Sequence, residues 1–184
     1  MNKITLNEFY KRATAKNYKT MRGHDAPSQE WDIYFDNKKI CNCWDDSYGG
    51  ELQVTNYDGK SIEDIFNTID KESTWDPDWN WYTTLNLILE EVKSRANFAK
   101  DVKKGVLIGF NKQNYDIIGY KSSILDMLAK NVGYKNEYVK IFTEETNTKT
   151  DGFVLNWEYL EECGINVPEE YRWSKAKYVE AIKG

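Results

Sequence analysis

The chain has 184 residues, 25 of them basic and 30 acidic, with 40% hydrophobic and 15% aromatic side chains. That is enough apolar material for one domain to close a core without disulfides or metal, and seven Trp, thirteen Tyr and seven Phe exclude a disordered chain. No run approaches the roughly 18 to 20 apolar residues of a membrane span, and Met1 to Leu6 lacks the apolar stretch of a secretion signal.

Three cysteines, with Cys41 and Cys43 only two positions apart, fit reduced core thiols and a cytoplasmic protein. Lys outnumbers Arg 21 to 4 and Asn occurs 17 times, a bias toward residues with A/T-rich codons that fits an A/T-rich bacterium or its phage.

Charge is banded along the chain. Residues 1–24 carry six Lys/Arg against Glu8, residues 25–92 four Lys against sixteen acids, residues 93–142 ten Lys/Arg against four acids, and the last 42 residues return to a net −4. A mildly acidic total of −5 is therefore built from segments of opposite sign.

Leu6, Phe9, Tyr10 and Ala13 recur at helical spacing and predict a helix over 5–14. Trp31, Ile33 and Phe35 alternate with polar residues, Asp36-Asn37 makes a turn, and Ile40 to Trp44 returns as the partner strand. Gly49-Gly50 breaks the chain before a third strand, Leu52 to Tyr57, and Ser61 caps a short helix whose buried side includes Ile62, Ile65, Phe66 and Ile69.

The strongest element is a helix over about 77–104, starting at Asp76-Pro77 and ending in Lys103-Lys104-Gly105. Trp81, Leu85, Ile88, Val92, Ala96 and Ala99 form one stripe along its length of about 40 Å. Val106 to Phe110 and Tyr115 to Tyr120 then predict a hairpin, Ser122 or Ser123 starts a helix to about Asn131, and Tyr138 to Phe142 reads as a strand. A polar loop over 143–152 precedes Phe153-Val154-Leu155, a helix over 157–163 stopped by Gly164, and a last helix from Ser174 to Ile182.

These elements predict an α+β fold, with mainly antiparallel sheet packed around the long helix. It is read as a single domain over 1–184, or as two lobes (1–74 and 75–184) sharing that helix.

Few residues carry recognisable chemistry. His24 is the one histidine, which removes multi-histidine metal sites, and Cys41-Asn42-Cys43 lacks the spacing of a zinc hairpin or dithiol redox pair. Gly105 to Gly109 is not a phosphate loop. Pro77-Asp78 with Glu91-Val92-Lys93 spells a loose metal-nuclease motif, but both halves fall on one helix about 20 Å apart. Asp32, Asp36, Asp45, Asp46 and Asp58 read as a solvated rim, so neither a catalytic group, a metal nor a cofactor is expected.

Trp75-Asp76-Pro77-Asp78-Trp79-Asn80-Trp81 packs three tryptophans into seven residues; Trp79 falls on the side of the helix away from the buried stripe and Trp75 precedes the helix, so one or two of them are expected to be exposed. Exposed tryptophan ringed by Asp76 and Asp78 suits protein recognition. Lys93, Asn97, Lys100 and Lys104 form a polar stripe suited to a nucleic-acid backbone, with Tyr115 or Tyr120 near enough to stack on bases. Arg95 falls on the apolar side between Ile88 and Val102 and either snorkels or finds a buried acid, the structural ion pair being favoured.

The favoured reading is a non-enzymatic cytosolic macromolecule-binding protein whose partner is a protein or ribonucleoprotein. In its specific form it is a phage or mobile-element inhibitor of a host nucleic-acid-processing defence complex, with acidic zones occupying a basic groove. An RNA- or DNA-binding module using the lysine face is the alternative, and a metal-dependent nuclease or hydrolase the second alternative.

Overall fold

In the computed structural model, residues 3–22, 27–47, 50–56, 64, 67–70 and 81–181 are described. Contacts divide the chain into two units, residues 1–96 and 97–184. No described helix is long and apolar enough to cross a membrane.

The first unit opens with helix α1 (Leu6–Arg12), fixed by a capping box in which Thr5 Oγ1 accepts from Glu8 N at 3.2 Å and Glu8 Oε2 accepts from Thr5 N at 2.8 Å. Four strands follow: β1 (Ala13–Met21), β2 (Ser28–Phe35), β3 (Lys38–Asp45) and β4 (Gln53–Asn56). They form an antiparallel sheet in the order β1-β2-β3-β4. Asp36 and Asn37 have φ of 47° and 64°, the paired positive values of a tight hairpin, as their sequence predicts. Arg12 holds the Asp36 carboxylate while its guanidinium lies 4.4 Å from the centre of the Phe35 ring, fastening α1 to that turn.

β1 is absent from the sequence expectation, which stops at a helix over 5–14. Its residues beyond Ala15 are exposed, so no apolar alternation marks it. Lysines and a bulge between Lys16 and Lys19 are what an unprotected edge strand needs to resist pairing with other chains. At the bulge Asn17 takes φ 57°, and its amide donates to Asp32 Oδ2 at 2.8 Å and Tyr34 Oη at 3.2 Å.

The long helix, here α2 (Trp81–Asp101), lays Leu85, Ile88, Leu89 and Val92 into a core with Phe9, Ala15, Trp31, Ile33, Cys41, Cys43 and Leu52. Ala96 is half-buried at the margin of that core, but Ala99 is exposed, so the buried stripe is shorter than its spelling. The expected start at Asp76-Pro77 and most of the helix around Ser61 lie outside the described residues. Both Cys41 and Cys43 are buried free thiols, as expected of i, i+2 positions on the inner face of a strand.

The second unit contains the hairpin β5 (Gly105–Gly109) and β6 (Tyr115–Gly119), with β7 (Phe153–Val154) on the other side of β5. Helices α3 (Ile124–Lys130), α4 (Tyr134–Thr143), α5 (Trp157–Glu162) and α6 (Lys175–Ala181) complete it. Ser123 caps α3 by accepting from Asp126 N at 3.2 Å.

Tyr138 to Phe142, expected as a strand, is the second half of α4. The β-branched and aromatic spelling misleads, because Tyr138, Ile141 and Phe142 sit at i, i+3 and i+4 and all three enter the core with Val106, Ile108, Ile124 and Leu160. Asn156 is the polar pin of this unit: its side chain accepts from Leu107 N at 3.0 Å and donates to the carbonyls of Val102 and Gly105 at 3.0 and 2.9 Å. The α+β class with antiparallel sheets is as predicted.

Candidate functional site

Trp75, Asp76, Asp78 and Trp79, singled out for protein binding, lie outside the described residues. Of the lysine stripe, Lys93 is only 14% exposed; its ammonium sits 3.8 Å from the centre of the Trp31 ring and 3.5 Å from Glu90 Oε2. Asn97 is half-buried, Lys100 is exposed, and Lys104 pairs with Asp101 Oδ1 at 2.7 Å.

Asp101 also accepts from Tyr115 Oη at 3.2 Å, and burial reinforced by that carboxylate pushes the Tyr115 phenol up. The Tyr115 ring packs edge-on against Phe98 at 5.5 Å, and Tyr120 packs against Tyr134 and Tyr138 at 5.0 and 5.7 Å. Arg95, expected on the apolar side of the helix, is exposed; it does form an ion pair, 2.6 Å from Glu91 Oε1, and its guanidinium covers the Tyr10 ring at 4.2 Å. That pair is half-exposed, so burial does not raise its cost.

The aspartates singled out in the sequence go to different places. Asp32 is 6% exposed on the sheet face opposite the core, held by Asn17, by Asn42 Nδ2 at 3.0 Å and by Lys39 Nζ at 2.6 Å. Burial pushes its carboxyl up, but those three donors together outweigh it and hold the pKa below the ordinary value. Asp36 is bound to Arg12, and Asp58 lies outside the described residues. Among the described residues no group of three or more His, Cys, Asp or Glu is arranged to hold a metal ion.

Asp45 instead belongs to a concave notch of about 250 Å³ in the first unit, lined by Asp45, Gly50, Glu51, Leu52, Asn86, Leu87 and Glu90. Asp45 is the last residue of β3, where its Oδ1 accepts from Ser47 N at 2.8 Å and turns the chain. Glu51 precedes Leu52, which is 7% exposed and anchors the return to β4. Asn86, Leu87 and Glu90 come from α2, with Leu87 45% exposed on the side away from the buried stripe.

Among the described residues of the lining, three carboxylates surround two leucines and no side chain is cationic; Lys93, outside the lining, lies over Trp31 and pairs with Glu90 at 3.5 Å. Apolar walls under a carboxylate rim match a lysine or arginine side chain, whose methylenes need cover and whose head needs an acceptor. Glu51, Leu87 and Glu90 were not singled out in the sequence. A leucine on the polar side of an amphipathic helix, one turn before an acid, is the signal that marks them.

A second concavity, about 410 Å³, lies in the other unit between the β5–β6 hairpin and the 143–152 loop. Ile108, Phe110, Tyr115 and Ile118 supply its apolar wall and Asp116, Glu145 and Asp151 its carboxylates. The loop is a fixed wall. Asp151 Oδ2 accepts from Asn147 N at 2.7 Å, Thr146 Oγ1 donates to Ile141 O at 2.8 Å, and Gly152, at φ 97°, presses against Gly109 so closely that a Cβ there would meet its carbonyl carbon at 2.3 Å. The Asn147 backbone and the Thr150 hydroxyl hold the Asp151 carboxyl below its ordinary range.

No family model, curated protein or solved structure matches the chain.

Proposed function

We propose that this is a binding protein that recognises a basic surface of a protein or ribonucleoprotein partner, with the acidic notch of the first unit receiving a lysine or arginine side chain. The observation that supports the reading is the composition of that notch: Asp45, Glu51 and Glu90 around Leu52 and Leu87, with no basic side chain among the described residues of the lining. A basic patch built to hold nucleic acid is a natural target of such a surface, since the same Lys and Arg that contact phosphates can be occupied by carboxylates.

The biological role proposed is therefore inhibition of a nucleic-acid-processing complex by occupying its basic groove, with the bias toward residues that have A/T-rich codons fitting a phage or mobile-element origin. Lys93 and Lys104 already face Glu90 and Asp101, which favours this reading over a phosphate-binding helix face. The test is affinity capture from extracts of the encoding organism after nuclease digestion, comparing the native chain with an E51K/E90K variant. Retention of a nucleic-acid-binding protein by the native chain and its loss with the variant is expected. Capture that disappears on nuclease treatment would overturn the reading.

A further inference from the structure

β6 is the outer strand of its sheet, paired to β5 on one side only. Its residues Asp116, Ile117 and Gly119 are exposed, and among the described residues its backbone makes no hydrogen bond outside the β5 ladder. Among the described residues nothing pairs with this outer row of N–H and C=O groups, and unlike β1 the strand has neither a lysine nor a register shift to discourage pairing.

The two faces beside that edge differ in chemistry. Asp116 pairs with Ile108 and Ile118 with Val106, so Asp116 and Ile118 face the cleft closed by Glu145 and Asp151. Among the described residues neither the Asp116 nor the Glu145 carboxylate has a hydrogen-bond or ion-pair partner, and no Lys, Arg or His lines the cleft. Lys149 belongs to the same loop but not to the lining. On the other face Ile117 is 45% exposed.

We propose that β6 and this cleft are a docking site for an extended basic segment of a partner protein, added to the sheet as a further strand. Backbone pairing with β6 supplies affinity without sequence preference, and alternate side chains supply the selection. Residues that fall on the Asp116 side meet Asp116 and Glu145 and are lysine or arginine; those between them fall beside Ile117 and are apolar. The segment recognised thus alternates basic and apolar residues. This site is independent of the notch in the first unit, and either can fail without the other.

The test uses the full chain and a fluorescent eight-residue peptide alternating lysine with valine, followed by anisotropy and by amide chemical shifts of residues 115–119. Three controls accompany it: the glutamate–valine analogue, a lysine–valine peptide N-methylated at alternate residues, and the variants D116K and E145K. Saturable binding of the basic peptide is expected, with shifts centred on β6. The glutamate analogue and the N-methylated peptide should not bind, and each variant should weaken binding about fivefold to tenfold, the effect of reversing one half-exposed charge contact. Binding that survives N-methylation would show charge attraction without strand addition and overturn the proposal. Concentration-dependent protection of residues 115–119 without peptide would also overturn it, by assigning the edge to a second copy of the chain.

Discussion

Removing the side chain of Asn156 should unfold the second unit more readily than any surface change of equal size. Asn156 is 4% exposed and makes three hydrogen bonds of 2.9 to 3.0 Å, to Leu107 N, Val102 O and Gly105 O. Gly105 and Leu107 are themselves buried, so Asn156→Ala strands a buried donor and an acceptor as well as deleting the bonds. Each buried group left unpaired costs about 1–3 kcal/mol, and with two such groups the loss should be about 3–5 kcal/mol.

Asn156→Asp keeps the acceptor for Leu107 N but loses both donors and places a carboxylate against two carbonyls, and should be at least as damaging at neutral pH. Asn147→Ala is the control, since its exposed side chain accepts from Lys149 N at 3.0 Å, and it should lose under about 1 kcal/mol. Urea unfolding followed by far-UV circular dichroism, with the slope checked for two-state behaviour, gives the comparison. A loss below about 1 kcal/mol for Asn156→Ala would refute the pinning role.

Three further outcomes are expected. Asp32→Ala should cost about 2–3 kcal/mol, read by the same unfolding assay, because it deletes the ion pair with Lys39 on a largely covered sheet face and one hydrogen bond from each of the Asn17 and Asn42 amides. Because the folded Asp32 pKa lies below the ordinary 3.8, its contribution is present above that value and is lost as pH falls through the folded pKa; unfolding measured from pH 6 to pH 2 should show the native chain losing stability in that acid range and Asp32→Asn losing less. Gly152→Ala, at φ 97° with Gly109 backbone 2.3 Å from the added methyl, should lower thermal stability by several degrees, while Ala at exposed Gly133 should not.

The elements with two agreeing signals were legible in the sequence. The Asp36-Asn37 hairpin had alternation on both sides and a turn pair that tolerates positive φ, and α3 had a serine cap before an apolar run. Elements whose sequence is dictated by their neighbours were not. β1 is an edge strand, so its polar outer residues carry no period, and Tyr138 to Phe142 has strand propensity but a helical burial pattern imposed by the core.

The binding surfaces were less legible still. Asp45 was noticed only as one of a scattered run, because the notch forms where the β3–β4 return meets α2, joining residues about forty positions apart. Leu87 and Glu90 announce nothing singly. Asp116 and Glu145 likewise acquire meaning only when a loop closes over a hairpin edge.

The central claim, that acidic concavity on the first unit holds a basic protein surface, is tested most directly by nuclease-treated affinity capture with the native chain and E51K/E90K side by side, at low and moderate salt. A partner with a basic nucleic-acid-binding groove should be retained by the native chain after digestion, weakened by salt, and lost with the charge-reversed variant while that variant keeps its native circular dichroism. Equal capture by both chains, or capture only while nucleic acid is intact, would contradict it.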